Sequence, residues 1–237
     1  MHYVFVDESY PKKEGQKTII MAGWVVDQER YNNFFASGPD LYRTPILENI
    51  NSMLESLNAW AIVAWADLDE NLSRTGEVDG TDDIPSMARN ANLWSECFVF
   101  TVGMLIANAV YVGQDLETVD IHFDPQSLNA AHAAAIEGTL RTLVVQEAKE
   151  YANQFAQISG ARSQLLKDLR IRRIEPVAKA QTGKSLDKFQ TGTWVADKLC
   201  SSYEEIRTRK FSRIIPKDMS AVVRKTVQQY DGKSFYE

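Results

Sequence analysis

Apolar and polar positions alternate along residues 2–7, with Tyr3, Phe5 and Asp7 on one side and Val4 and Val6 on the other, the period of a β-strand. A polar turn over 11–16 leads to residues 18–26 (TIIMAGWVV), a second and largely buried strand. So short a connection predicts an antiparallel hairpin. A helical stretch over 28–35 and a Gly38-Pro39 break follow. Thr44-Pro45 then opens a second helix, with Thr44 expected as N-cap and Ile46, Leu47, Ile50, Met53, Leu54 and Leu57 at helical spacing. Residues 60–65 (WAIVAW) form a third strand and 67–86 an acidic connection that lacks the order of an EF-hand loop. Residues 87–112 predict a helix apolar nearly all round, hence buried. Residues 118–124 (TVDIHFD) are a fourth strand stopped by Pro125. A long helix over 128–157, a fifth strand over 169–177 and a last core helix over 187–208 complete the pattern. The strands after long helices should run parallel, joined by crossovers. The expectation is an α/β fold with a mixed five-stranded sheet flanked by helices and a helical insertion between strands 2 and 3. It spans 1–211, with 212–237 as a C-terminal extension.

Composition adds little, but the distribution of charge changes the picture. The chain has 237 residues, 44% of them hydrophobic, and a net charge of −6. Residues 1–161 hold 9 Lys/Arg against 23 Asp/Glu, whereas 162–237 hold 17 against 9. An acidic portion can supply metal ligands while a basic third meets phosphates. Solvated helix faces account for the same charges equally well. Polar residues interrupt the longest apolar run, so no membrane span is expected. The start lacks the basic region and apolar stretch of a secretory signal. Cys97 and Cys200, far apart among apolar neighbours, read as reduced core thiols, and a cytoplasmic location is the expectation.

Three acids stand where chemistry is built. Asp7 ends the first strand, and Glu8 points to the other face. Asp124 ends the fourth, at the carboxyl side of the sheet where ligands gather in α/β folds. Asp197 lies in the last helix beside a packing face formed by Trp194 and Cys200, and needs a partner there, an arginine or an ion. Singly, a strand-end acid serves a turn or a cap as readily as a metal. Together, three carboxylates from separate elements make the oxygen-rich set that Mg²⁺ or Mn²⁺ prefers. His122 shares a strand face with Asp124, as a packed residue or a proton carrier, and His132 on the next helix is unspecific. Walker-A, dinucleotide-binding, zinc-ligand and nucleophile-elbow patterns are all absent from the sequence.

The element order resembles that of ribonuclease-H-like proteins. Asp7-Glu8-Ser9 after a short hydrophobic strand, Ala22-Gly23 in the second, and Ala196-Asp197 in a late helix resemble a bacterial family of ribonuclease-H-like affiliation, domain of unknown function 3800. The glycine expected after the late Ala-Asp is missing, and Trp194 or the more distant Gln190 stands for the usual glutamine. The resemblance implies a metal-dependent nuclease acting on DNA or RNA, with Asp7, Glu8, Asp124 and Asp197 as its acids. A fourth ligand from the first core helix would be Glu96, the acid of residues 87–112. Two Mg²⁺ or Mn²⁺ ions held by Asp7, Asp124 and Asp197 would serve an in-line displacement. Arg170, Arg172, Arg173, Lys179 and Lys184 are the expected phosphate contacts. The alternative is a catalytically inactive module of the same fold that binds nucleic acid or a protein partner.

Overall fold

The computed structural model describes residues 1–9, 12–13, 16–39, 41, 44–68, 91–124, 127–154, 166, 168–178 and 185–229. Alternation makes β1 of His2–Ser9, and a short β2, Lys12–Lys13, turns the chain into β3, Gln16–Asp27. Asp27 closes β3 and caps the next helix, accepting from the backbone N–H groups of Glu29 and Arg30 at 3.0 Å each. That helix is α1, Gln28–Ala36, followed by α2, Ile46–Ser56, and β4, Trp60–Leu68. Next come α3, Ala91–Tyr111, β5, Thr118–Phe123, and α4, Ser127–Gln154. The chain continues through β6, Arg170–Pro176, α5, Lys188–Ser201, and α6, Tyr203–Thr208. It ends in β7, Ile214–Asp218, and α7, Ser220–Gln229.

The strands lie in one mixed sheet, in the order β6-β5-β1-β3-β4-β7, with β2 paired to β3. Strands β1, β3 and β4 are antiparallel neighbours, with Asp7 opposite Ala22 and Ala22 opposite Val63. Strands β5 and β6 extend the sheet in parallel from the other side of β1, and β7 runs parallel to β4. The expected hairpin, parallel crossovers and insertion (α1 and α2) are present. The strand count is not: five were expected and the sheet has seven. The additions are the two-residue β2 and β7, whose residues the sequence placed in a terminal extension. Strand β7 instead completes an edge of the sheet, and Val223 of α7 enters the core.

Two further expectations change. Pro45, not Thr44, takes the N-cap position of α2, in extended conformation and without a side-chain cap bond. The last core helix divides at Ser202, whose backbone (φ −101°, ψ 14°) leaves the helical region.

The sheet separates two apolar layers. On one face Val4 and Val6 pack with Phe98, Val102 and Leu105 of α3 and Leu140 and Val144 of α4. Within α3, Leu93–Tyr111 is long and apolar enough to cross a membrane, yet it is mostly buried inside this fold. On the other face Tyr3, Phe5, Ala22 and Trp24 pack with α1, α2 and α5. Here α5 comes unusually close to β1. A Cβ placed at Gly192 would overlap the Phe5 ring, and the Trp24 indole N–H donates to the Gly192 carbonyl at 2.9 Å. Only glycine allows that approach.

A carboxylate cleft at the carboxyl ends of β1 and β5

Parallel pairing brings the ends of β1 and β5 side by side. Val6 lies opposite Phe123, and one residue on, the Asp124 N–H donates to the Val6 carbonyl at 3.2 Å. Asp7 and Asp124 therefore leave adjacent strands together. Helix α5 lies over this end, held at one extreme by Gly192 on Phe5 and at the other by the Cys200 thiol, which donates to the Asp7 carbonyl at 3.3 Å. Its start is fixed by a capping box. Asp187 accepts from the N–H groups of Phe189 and Gln190, and Gln190 accepts in return from Asp187 N–H. The Gln190 amide also donates to the Ala178 carbonyl at 2.9 Å, tying the helix to the segment after β6.

Between these elements is a cleft of about 390 Å³ lined by Asp7, Asp124, Val177, Ala178, Leu186, Gln190, Thr193, Trp194 and Asp197. Gln190, Thr193, Trp194 and Asp197 share one stripe of α5 at i, i+3, i+4 and i+7 spacing. The stripe was readable in the sequence once Asp197 was suspected, although only the acid was singled out as a ligand.

Asp7 is the most perturbed acid of the cleft. It is 6% exposed, and its carboxylate accepts the Glu8 backbone N–H at 2.8 Å. Burial pushes its pKa up to about 8, with Glu8, Asp124 and Asp197 adding repulsion that this hydrogen bond only partly offsets. Asp197 is half exposed, and its Oδ2 is 2.7 Å from Lys198 Nζ, an ion pair with a lysine where an arginine was one of the expected partners.

The remaining expected site residues lie elsewhere. Glu8 is buried on the opposite face of β1, as strand alternation requires, within electrostatic reach of Cys97 on α3, and acts on Asp7 through its charge and its backbone N–H. Glu96 is on an exposed side of α3, within electrostatic reach of Glu147 on α4, and does not line the cleft. Arg172 makes two hydrogen bonds to Asp120, one from Nε at 2.8 Å, and Arg173 faces Glu175 at 3.4 Å. Arg170 pairs with Thr118 at the far end of β5, about 20 Å along the strand from Asp124. These arginines therefore do not gather at the carboxylates. Lys179 and Lys184 lie outside the described residues, as does the side chain of His132.

Packing bears on the histidine and cysteine readings made from the sequence. His122 sits among the rings of Tyr3, Phe5 and Phe189, outside the cleft lining, and burial lowers its pKa to about 4. It is a neutral core residue at pH 7. Cys97 and Cys200 are both free and buried, and burial raises both thiols, Cys97 to about 12. The residue that sequence reasoning overlooked is Asp120, 2% exposed and neutralised by Arg172. Its signal was an acid in the middle of an apolar strand.

The cleft's acids fit a hard cation, for they are oxygen donors with no sulfur or imidazole among them. Among the described residues no three His, Cys, Asp or Glu side chains stand close enough to grip an ion unaided. Magnesium does not require three. It keeps several waters and is commonly bound through one or two carboxylates plus substrate phosphates.

No family model matches the chain, and no curated protein matches it. Among solved structures it is similar to a chain of the PCNA:RNase HII complex from Archaeoglobus fulgidus. The two share 11% identity at a TM-score of 0.37, over 97% of this chain and 88% of that one. That likeness is too slight to bear on function.

Proposed function

We propose that the chain is a ribonuclease-H-like hydrolase that cleaves nucleic-acid phosphodiester bonds with Mg²⁺ or Mn²⁺ at the Asp7–Asp124–Asp197 cleft. One observation carries the reading: acids from β1, the end of β5 and α5, far apart in sequence, line a single cleft. The strand order supports the fold assignment, with an antiparallel β1-β3-β4 unit continued in parallel by β5 and β6. The resemblance to domain of unknown function 3800 rests on Asp7-Glu8-Ser9, Ala22-Gly23, Ala196-Asp197 and the order of elements.

Asp7 and Asp124 would hold or bridge two ions, with Asp197 completing the second site. Bound there, the metal supplies a more acidic water and charge neutralisation at the leaving oxygen. The chain's own contribution is placement. Burial and neighbouring acids leave Asp7 protonated near neutrality without a cation, so a divalent ion is the partner that makes its carboxylate favourable. Gln190 and its capping box hold the α5 wall at a fixed distance from the strand ends. Trp194 and Leu186 give the cleft an apolar side against which a substrate can lie.

The test is hydrolysis of labelled single-stranded, duplex and hybrid oligonucleotides in Mn²⁺. Wild type cleaves at least one class, and Asp7→Ala/Asp197→Ala cleaves none. Activity surviving in the double variant would remove the assignment. The rival reading, an idle module binding nucleic acid or a protein partner, is favoured by the lysine already paired with Asp197. It predicts no rise in melting temperature at millimolar Mn²⁺, whereas a native-state metal site must raise it.

A further inference from the structure

The cation beside Asp197 belongs to the chain itself. Lys198 Nζ stands 2.7 Å from Asp197 Oδ2 and 5.7 Å from the centre of the Trp194 ring. Consecutive helical residues do not face each other, so helix geometry alone does not produce this pair. The lysine chain folds back over α5 to reach a carboxylate and a ring that both line the cleft. The side chains are 31% and 48% exposed for Lys198 and Asp197, and an ion pair so accessible to water is weakly held and readily exchanged. The ring offers the ammonium a second resting place, since a cation near the face of tryptophan is attracted by its quadrupole.

We propose that Lys198 is a built-in counter-ion of the cleft: it neutralises Asp197 while no divalent ion is bound, and an arriving ion displaces it toward Trp194. The inference rests on the reading of the cleft as a metal site and deepens it. Lys198 is a positioning residue that acts through Asp197. It takes one oxygen of an acid the metal needs and repels the incoming charge, so it weakens ion binding.

The sign of the effect makes the test sharp, because structural damage loosens a metal site whereas removing a competitor tightens it. Calorimetric titration with Mn²⁺ is expected to give about two- to fivefold tighter binding in Lys198→Met and Lys198→Ala than in wild type. Lys198→Arg, which keeps the charge, stays near wild type. Titration with Mg²⁺ should change tryptophan fluorescence in wild type and leave it unchanged in both Trp194→Phe and Lys198→Met. If wild type binds Mn²⁺ and the neutral variants bind it equally or more weakly, the counter-ion role is overturned and the metal site stands. A fluorescence response that persists in Lys198→Met overturns the displacement toward Trp194. If none of these proteins binds Mn²⁺, the metal reading falls and this inference falls with it.

Discussion

The two faces of the sheet bury their residues in opposite ways. On the α3–α4 face, Val4, Val6, Ile121 and Phe123 meet a continuous apolar layer that includes Phe98, Leu105 and Leu140. On the α5 face, Phe5 of β1 and Trp24 of β3 form with Tyr31 of α1 an aromatic floor that gives way, at the strand ends, to a buried acid beside two others. The first arrangement is what stability alone selects. The second is not, because burying a carboxyl against other carboxyls opposes folding. The proposed metal site would account for an arrangement that works against stability.

The largest effect should come from the stabilising face. Leu105 is fully buried, and Leu105→Ala is expected to lose about 2–5 kcal/mol in urea unfolding while the folded protein still responds to Mn²⁺. A smaller loss on the other face should be the more damaging to function. Gly192→Ala forces α5 away from the Phe5 ring, costing about 1–3 kcal/mol by overpacking and blunting the Mn²⁺ response together. If that response survived intact, the two faces would not be separable in this way.

Asp7 sharpens the contrast through pH. Its folded-state pKa is raised to about 8 from an ordinary 3.8, so between those values the folded protein keeps a proton that the unfolded chain has lost. Stability therefore falls as pH rises through that window, by about 1 kcal/mol from pH 7 to 8 for this group. Asp7→Asn should lack that part of the slope and be the more stable protein at pH 8 without metal, as thermal melts across the range would show. A variant no more stable than wild type at pH 8 would mean that the acid is not strained. The smallest effect belongs to the surface. Arg173 and Glu175 are both about half exposed, and Arg173→Ala should change stability by less than about 0.5 kcal/mol and leave Mn²⁺ binding unaltered.

Where periodicity was strong, the chain could be read directly. The alternation of Tyr3, Phe5 and Asp7 against Val4, Val6 and Glu8 placed the two acids on opposite faces of β1, and the structure has them there. Strand β7 escaped notice because Pro216, Lys217 and Asp218 break any alternation in a segment of five residues at the sheet edge. The division at Ser202 was hidden because Tyr203 and Ile206 continue an apolar spacing that passes for one helix. Charge partners were the least legible. The pairing of Arg172 with Asp120 joins neighbouring strands at a point where the register shifts and sets Arg173, not Arg172, opposite Asp120. That of Lys198 with Asp197 depends on a side-chain fold that helical spacing argues against. Spacing shows which residues share an element, whereas partners across elements are set by tertiary register.

The central claim, that the acids of β1, β5 and α5 serve one metal-dependent site, is tested most directly by the position of bound manganese. Crystals soaked in Mn²⁺ and measured at the manganese absorption edge are expected to show an anomalous peak in the cleft, within bonding distance of carboxylate oxygens of Asp7 and Asp124. A fully occupied peak elsewhere, or a cleft that stays empty at millimolar Mn²⁺, would contradict the account.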